Sequence, residues 1–293
     1  MNSPSTPPPH ATDVFPRIGS SLYYALACAP ATQREPLRVW LNWWHETAQI
    51  PLRVSDPGVA ETKLRWWQQA LQDAAQGQVH HPLLKAMLKP GAVSPPAEIP
   101  PWSCWQSQLD GLITLINQNR WLDDISLHRH ALATTGAACE GAARLLGAGD
   151  PAALAVARQF GCGLRQAHQL SRLGQDARSG WVNVAIDVLQ AHDVRAHQLS
   201  KPDPAQLPAG WAALLRHLHG QAEGSLTQAL TACRALPRTQ AKALRPLVVL
   251  AHIQLRQISA VAEQGDRVLH ERIVLTPLRK WWISQQVRWG LLN

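Results

Sequence analysis

Tyrosine, phenylalanine and methionine are nearly missing from this chain, with two of each among 293 residues. Cysteine is sparse as well. Cys28, Cys104, Cys139, Cys162 and Cys233 are scattered, with no Cys-x-x-Cys and no cluster with histidine. That spacing argues against a zinc site and fits a reducing compartment. No run of about 18 apolar residues occurs, so no membrane-spanning helix is expected. The opening "MNSPSTPPPHATD" has no apolar core. It reads as a disordered, proline-rich tail over residues 1–16 and not as an export signal, which predicts a cytoplasmic location. No window alternates apolar and polar residues as a half-buried strand does, and no repeat is evident. No basic run interleaves with aromatics, which argues against nucleic acid as a partner.

What remains is apolar, basic and rich in tryptophan. Hydrophobic residues make up 46% of the chain, enough for a large core without disulfides. Net charge is +8, and arginine far outnumbers lysine. Such a balance suits an anionic partner, either a membrane surface or a phosphorylated small molecule. Thirteen tryptophans are present. Indoles favour boundaries between apolar and wet regions, although most are expected in the core. Trp43-Trp44 and Trp66-Trp67 should each place one ring inside and the other toward the periphery or a cavity. Trp281, Trp282 and Trp289, with Arg279, Lys280 and Arg288, make a C-terminal helix that can either pack normally or lie on an anionic membrane at its inner face.

Nearly every periodic segment repeats at three and four residues, so the fold class is all-α. Ser20 or Ser21 is placed to cap a helix through "LYYALACA". Helices are predicted over about 35–50, stopping before Pro51, and about 59–75, with a short one opened by His81-Pro82. "KPGAVSPPAEIPP" is a loop, because clustered proline and glycine cannot continue a helix. Further helices are predicted at about 102–119, 126–147, 151–173 and 182–191. Beyond the loop "SKPDPAQLPAG" come helices at about 211–234, 238–264 and 267–289. Both loops are read as surface loops of one domain covering residues 17–293.

Three stretches carry a resemblance. They are "SSLYYALACAPATQREPLRVWLNWWHETAQI" followed by "KLRWWQQAL", then "ARQFGCGLRQAHQLSRLGQDARSGW", then "LHERIVLTPLRKW". In order and spacing, from about residue 18 to 282, they resemble the squalene/phytoene synthase family of trans-isoprenyl-diphosphate synthases. The resemblance implies a single helical bundle around a central cavity. It also implies two acid clusters that face each other and hold Mg²⁺ against an allylic diphosphate. Carboxylates three or four apart on a helix put several hard oxygens on one face, as magnesium requires.

Here most of those acids are replaced. The first cluster's two aspartates correspond to Ala48 and Gln49, its third to Leu52, and the basic residue upstream to His45. In the second cluster His168, Arg172 and Gln175 stand where the family has asparagine, aspartate and glutamate, and Asp176 remains. By the resemblance, Ser20, Ser21, Tyr24 and Arg272 lie at diphosphate-contacting positions. Arg165 and Arg172 are seven apart and should share a helix side. A guanidinium binds an oxyanion bidentately without metal, so the expected ligand is an isoprenoid or other anionic lipid, with no cofactor. The bland alternative is that Arg172 only pairs with Asp176 at i, i+4.

Other features point elsewhere. Asp123-Asp124 reads as a helix start. His128 and His130 diverge on a helix and suit surface or capping roles, and Gly161 and Gly163 suit close helix packing. Three functions stay open. One is a non-catalytic member binding a prenyl lipid or a protein partner, for which the resemblance offers an analogy in divergent family members that serve in respiratory complex I assembly. The others are an active prenyltransferase with a reorganised site, using Mg²⁺, and a helical scaffold with a filled cavity.

Overall fold

The computed structural model describes residues 15–88, 99–118, 120–203 and 206–292. It is 74% helical, and no strand occurs among the described residues, which makes the chain all-α. Most of the tail read from the sequence, and residues 89–98 of the first proline-rich loop, lie outside the described residues.

α1 (Ser21–Ala27) begins where the Ser20 hydroxyl accepts the Tyr23 amide at 3.1 Å. α2 (Ala31–Arg53) turns Leu37, Trp40, Trp43 and Thr47 inward. It does not stop before Pro51. A proline in the last turn deletes one backbone hydrogen bond, and the Val54 N–H still donates to the Ile50 carbonyl at 3.1 Å. α3 (Pro57–Ala75) is capped by Asp56, and α4 (Pro82–Met87) by the His81 ring. α5 (Trp102–Asn117) brings Trp105 against Trp40 and Trp43, with centroids 4.9 and 4.5 Å apart. The tryptophan pairs divide as their spacing predicts. Trp43 and Trp67 are buried, Trp66 is exposed and Trp44 faces a cavity.

Several long predicted helices are broken. α6 (Asp124–Ala131) starts on the Asp123 carboxylate, which accepts the Ser126 amide at 2.7 Å. It passes through a π-turn at Leu132–Gly136 into α7 (Ala137–Leu145). α8 (Pro151–Leu170) crosses this turn in backbone contact. A Cβ on Gly161 would sit 2.5 Å from the Gly136 Cα and the Thr135 carbonyl oxygen. Gly161→Ala should therefore lower stability by about 1–3 kcal/mol through overpacking, read as a lower midpoint in urea. His130 is buried beneath Trp121, with centroids 4.8 Å apart, and is not at the surface. Two residues from His128, it points the opposite way, and burial pushes its imidazole down to about 3.

α8 ends at Leu170, and α9 (Leu173–Arg178) restarts after Arg172, so Arg165 and Arg172 are not on one continuous helix. α10 (Ile186–Ala191) is shorter than expected, and α11 (Ala196–Ser200) is a helix the periodicity does not predict. α12 (Trp211–Arg234) matches its prediction. α13 (Arg238–Ala243) and α14 (Arg245–Gln264) separate at Leu244, just ahead of Pro246. α15 (Arg267–His270) and α16 (Pro277–Arg288) are split by a non-helical segment. That segment is tied down, because the Ile273 N–H donates to the Ser171 carbonyl at 3.1 Å. The Arg178 guanidinium also donates to the Leu269 carbonyl and, at 2.8 Å, to that of His270. The break sets Arg272 beside the end of α8, which packs against α7, α12 and α14 at the centre of the bundle.

Candidate functional site

A cavity of about 1250 Å³ opens between α1, α2, α7, α8, α14 and the segment leading into α16. Along α14 the lining runs from apolar residues at one end to polar ones at the other. α14 contributes Pro246, Leu247 and Leu250, then Gln254 and Gln257. At about 1.5 Å per residue, Pro246 to Gln257 covers roughly 16 Å of its depth. α2 contributes Leu37 and Leu41, then His45, Ala48, Gln49, Leu52 and Arg53. α8 contributes Leu164, then Arg165 and His168, with Arg172 just beyond it. The first-cluster positions Ala48, Gln49 and Leu52 and the second-cluster positions His168 and Arg172 thus line the same cavity.

The charge balance of the lining is one-sided. Arg17, Arg38, Arg53, Lys63, Arg165, Arg172, Arg272 and Lys280 line it, against Glu46 as its one carboxylate among the described residues. Arg172 Nε lies 3.0 Å from Asp176 Oδ1, and Asn183 Nδ2 donates to Asp176 Oδ2 at 3.3 Å. Arg165 Nε is buried without a partner. Burial lowers the Arg165 guanidinium from its ordinary value, and Arg172 lowers it further against the pull of Asp176. Burial and then Arg172 lower Arg272, and burial and then Arg272 lower Lys280. Burial pushes His168 down to about 3, helped by Arg172, Arg272 and Arg165. These groups penalise one another's charge, and a bound anion would relieve that penalty.

Of the residues singled out by sequence, Ser20, Ser21, Arg165, Arg172 and Arg272 line the cavity. Tyr24 and Asp176 do not. Tyr24 packs edge-on against Tyr23, and Asp176 sits behind Arg172 as its counter-ion. The pairing at i, i+4 therefore coexists with an Arg172 that reaches the cavity. Arg53, Lys63, Lys280 and Arg17 are additional cations of the lining. Arg53 is four beyond Gln49 and eight beyond His45, a spacing that becomes visible once α2 is carried through Pro51. Phe15 and Pro16 also line the cavity, and the Phe15 ring stacks on His45 with centroids 4.9 Å apart. Among the described residues, no group of three or more His, Cys, Asp or Glu is placed to hold a metal ion.

An all-α domain of this kind, with a deep cavity walled by long helices, has the architecture of the isoprenoid synthases. The chain belongs to the squalene/phytoene synthase family, whose sequence profile matches residues 15–279. Among solved structures it is similar to a dehydrosqualene synthase crystallised with ligand, at 16% identity and a TM-score of 0.71, covering 92% of this chain and 91% of that one. YisP from Bacillus subtilis subsp. subtilis strain 168 follows at 15% identity and a TM-score of 0.60, covering 90% and 89%. Squalene synthase HpnC from Alicyclobacillus acidocaldarius matches at 13% identity and a TM-score of 0.59, covering 82% and 98%. At these identities the likeness concerns the fold. No curated protein sequence matches.

Proposed function

We propose that this protein is a non-catalytic member of its family that holds an isoprenoid lipid with a phosphate or diphosphate head group, using arginines in place of metal. The observation that carries this reading is the lining itself, in which eight cations, one of them Arg38 paired with Glu35, accompany a single carboxylate among the described residues. Magnesium takes hard oxygen ligands in near-octahedral geometry, and this donor set does not fit it. The same lining suits an oxyanion, which guanidinium groups bind through charge-assisted hydrogen bonds. The apolar side, built by Leu37, Leu146, Leu247 and Leu250, suits a hydrocarbon chain. On this reading the protein works in the cytoplasm, in contact with the membrane where such lipids reside.

The test is calorimetric titration with geranyl diphosphate in the presence of EDTA. The wild type should bind without divalent metal. Arg172→Glu should weaken binding about 10- to 100-fold, since hydrogen bonds to charged groups are worth about 1.5–3 kcal/mol. Arg272→Gln, which leaves the Arg172–Asp176 pair in place, should weaken it in the same direction. Unchanged affinity in both variants defeats the proposal.

A further inference from the structure

We infer that the outer face of α16 is a docking surface for an anionic lipid bilayer, holding the cavity mouth toward the membrane. Its purpose rests on the lipid-binding reading above, whereas the surface is argued from its own features. Leu278, Trp281, Trp282, Trp289 and Leu291 are 72%, 43%, 47%, 60% and 67% exposed. Trp282 joins the rings on either side of it, with centroids 6.2 Å from Trp281 and 5.8 Å from Trp289. The opposite side of the helix buries Ile283 and Val287 in the core. The exposed face of α16 and the turn after it thus carry a run of large apolar side chains beside Arg279 and Arg288, while an ordinary surface helix turns a mainly polar face outward.

Charge and position select the occupant. Arg279, Lys280 and Arg288 are the charged residues from Pro277 to Leu292, and no acid interrupts them. Tryptophan with flanking cations suits the head-group layer, where indoles sit between apolar and wet regions and arginines meet lipid phosphates. A second copy of this face would bring the same cations together across a two-fold contact. The patch also borders the cavity. Lys280 lines the cavity and its Nζ donates to the Gly19 carbonyl at 3.5 Å. Beside that contact Ile18 is 76% exposed. Arg17 and Ser20, on either side of that contact in sequence, also line the cavity.

The test is co-sedimentation of the full chain with phosphatidylcholine vesicles, with and without an equal share of phosphatidylglycerol. The wild type should pellet with the anionic vesicles and remain in solution with the neutral ones. Trp281→Ser combined with Trp282→Ser should reduce binding at least about tenfold. Arg279→Glu combined with Arg288→Glu should reduce it about thirtyfold or more, at roughly fivefold per cation near an anionic surface. Thermal melts that match the wild type establish that these exposed substitutions leave the fold intact. The inference is overturned if the wild type ignores both vesicle types, or if both variants bind as the wild type does. It is equally overturned if the tryptophan variant splits a dimer without affecting vesicle binding. Titration with geranyl diphosphate in vesicle-free buffer separates the two readings. Vesicle binding without diphosphate binding removes the proposed ligand and keeps the surface, and the reverse removes the surface alone.

Discussion

Incubated with farnesyl diphosphate and Mg²⁺, this protein is expected to release no pyrophosphate above a heat-denatured control. Ionising an allylic diphosphate puts growing negative charge on the departing oxygens, and bound metal ions are worth several kcal/mol there. Losing about 5 kcal/mol of that stabilisation slows the step by roughly four powers of ten. Ala48, Gln49 and Leu52 on α2 offer no carboxylate, and Arg172 on the facing wall has the opposite charge. The arginines do not replace the metal in this role. On the proposed reading they would grip the diphosphate before and after ionisation alike, which tightens the complex without lowering the barrier. A sensitive phosphate-release assay checks this. Metal-dependent release above that control would overturn the non-catalytic reading and make the chain an active prenyltransferase.

The parts of this site legible in the sequence were those set by helical period within one helix. His45, Ala48, Gln49 and Leu52 were singled out by the resemblance, and they line the cavity together because three- and four-residue spacing keeps them on one side of α2. The all-α class was legible for the same reason. The chain breaks were less so. Arg172 reaches the cavity from the junction between α8 and α9, where no period applies. Arg272 arrives on a segment whose course is fixed by hydrogen bonds from Arg178 and to Ser171, residues about a hundred positions earlier. A helical prediction through 267–289 places Arg272 near the right spot by resemblance and for the wrong local reason. The close backbone crossing at Gly161 was legible as two small residues on a helix, but its partner, the π-turn at 132–136, leaves no periodic signal. Long-range partners decide such features.

Trp40→Ala is expected to cost about 3–5 kcal/mol of unfolding free energy, enough to threaten folding of a domain of ordinary stability. Trp40 is fully buried, stacks on Trp43 with centroids 5.3 Å apart, and meets Trp105 edge-on. It is also clamped by α7. A Cβ on Gly141 would lie 2.5 Å from the Trp40 ring, so the indole already fills the space a side chain would take. Its N–H donates to the Ala138 carbonyl at 2.9 Å. Alanine would leave a cavity that α2, α5 and α7 are too rigidly joined to close. The neighbouring ring supplies the control. Trp43 is equally buried, yet its Nε1 has no hydrogen-bond partner. Trp43→Phe should therefore cost about 1 kcal/mol less than Trp40→Phe, because it gives up no hydrogen bond and removes an unsatisfied donor. Trp66→Ala, at a half-exposed ring edge-on to Trp67 and His81, should cost about 1–2 kcal/mol, well below Trp40→Ala. Urea denaturation followed by circular dichroism orders the variants. If Trp43→Phe proves as costly as Trp40→Phe, packing alone holds this cluster and the bond to Ala138 contributes nothing.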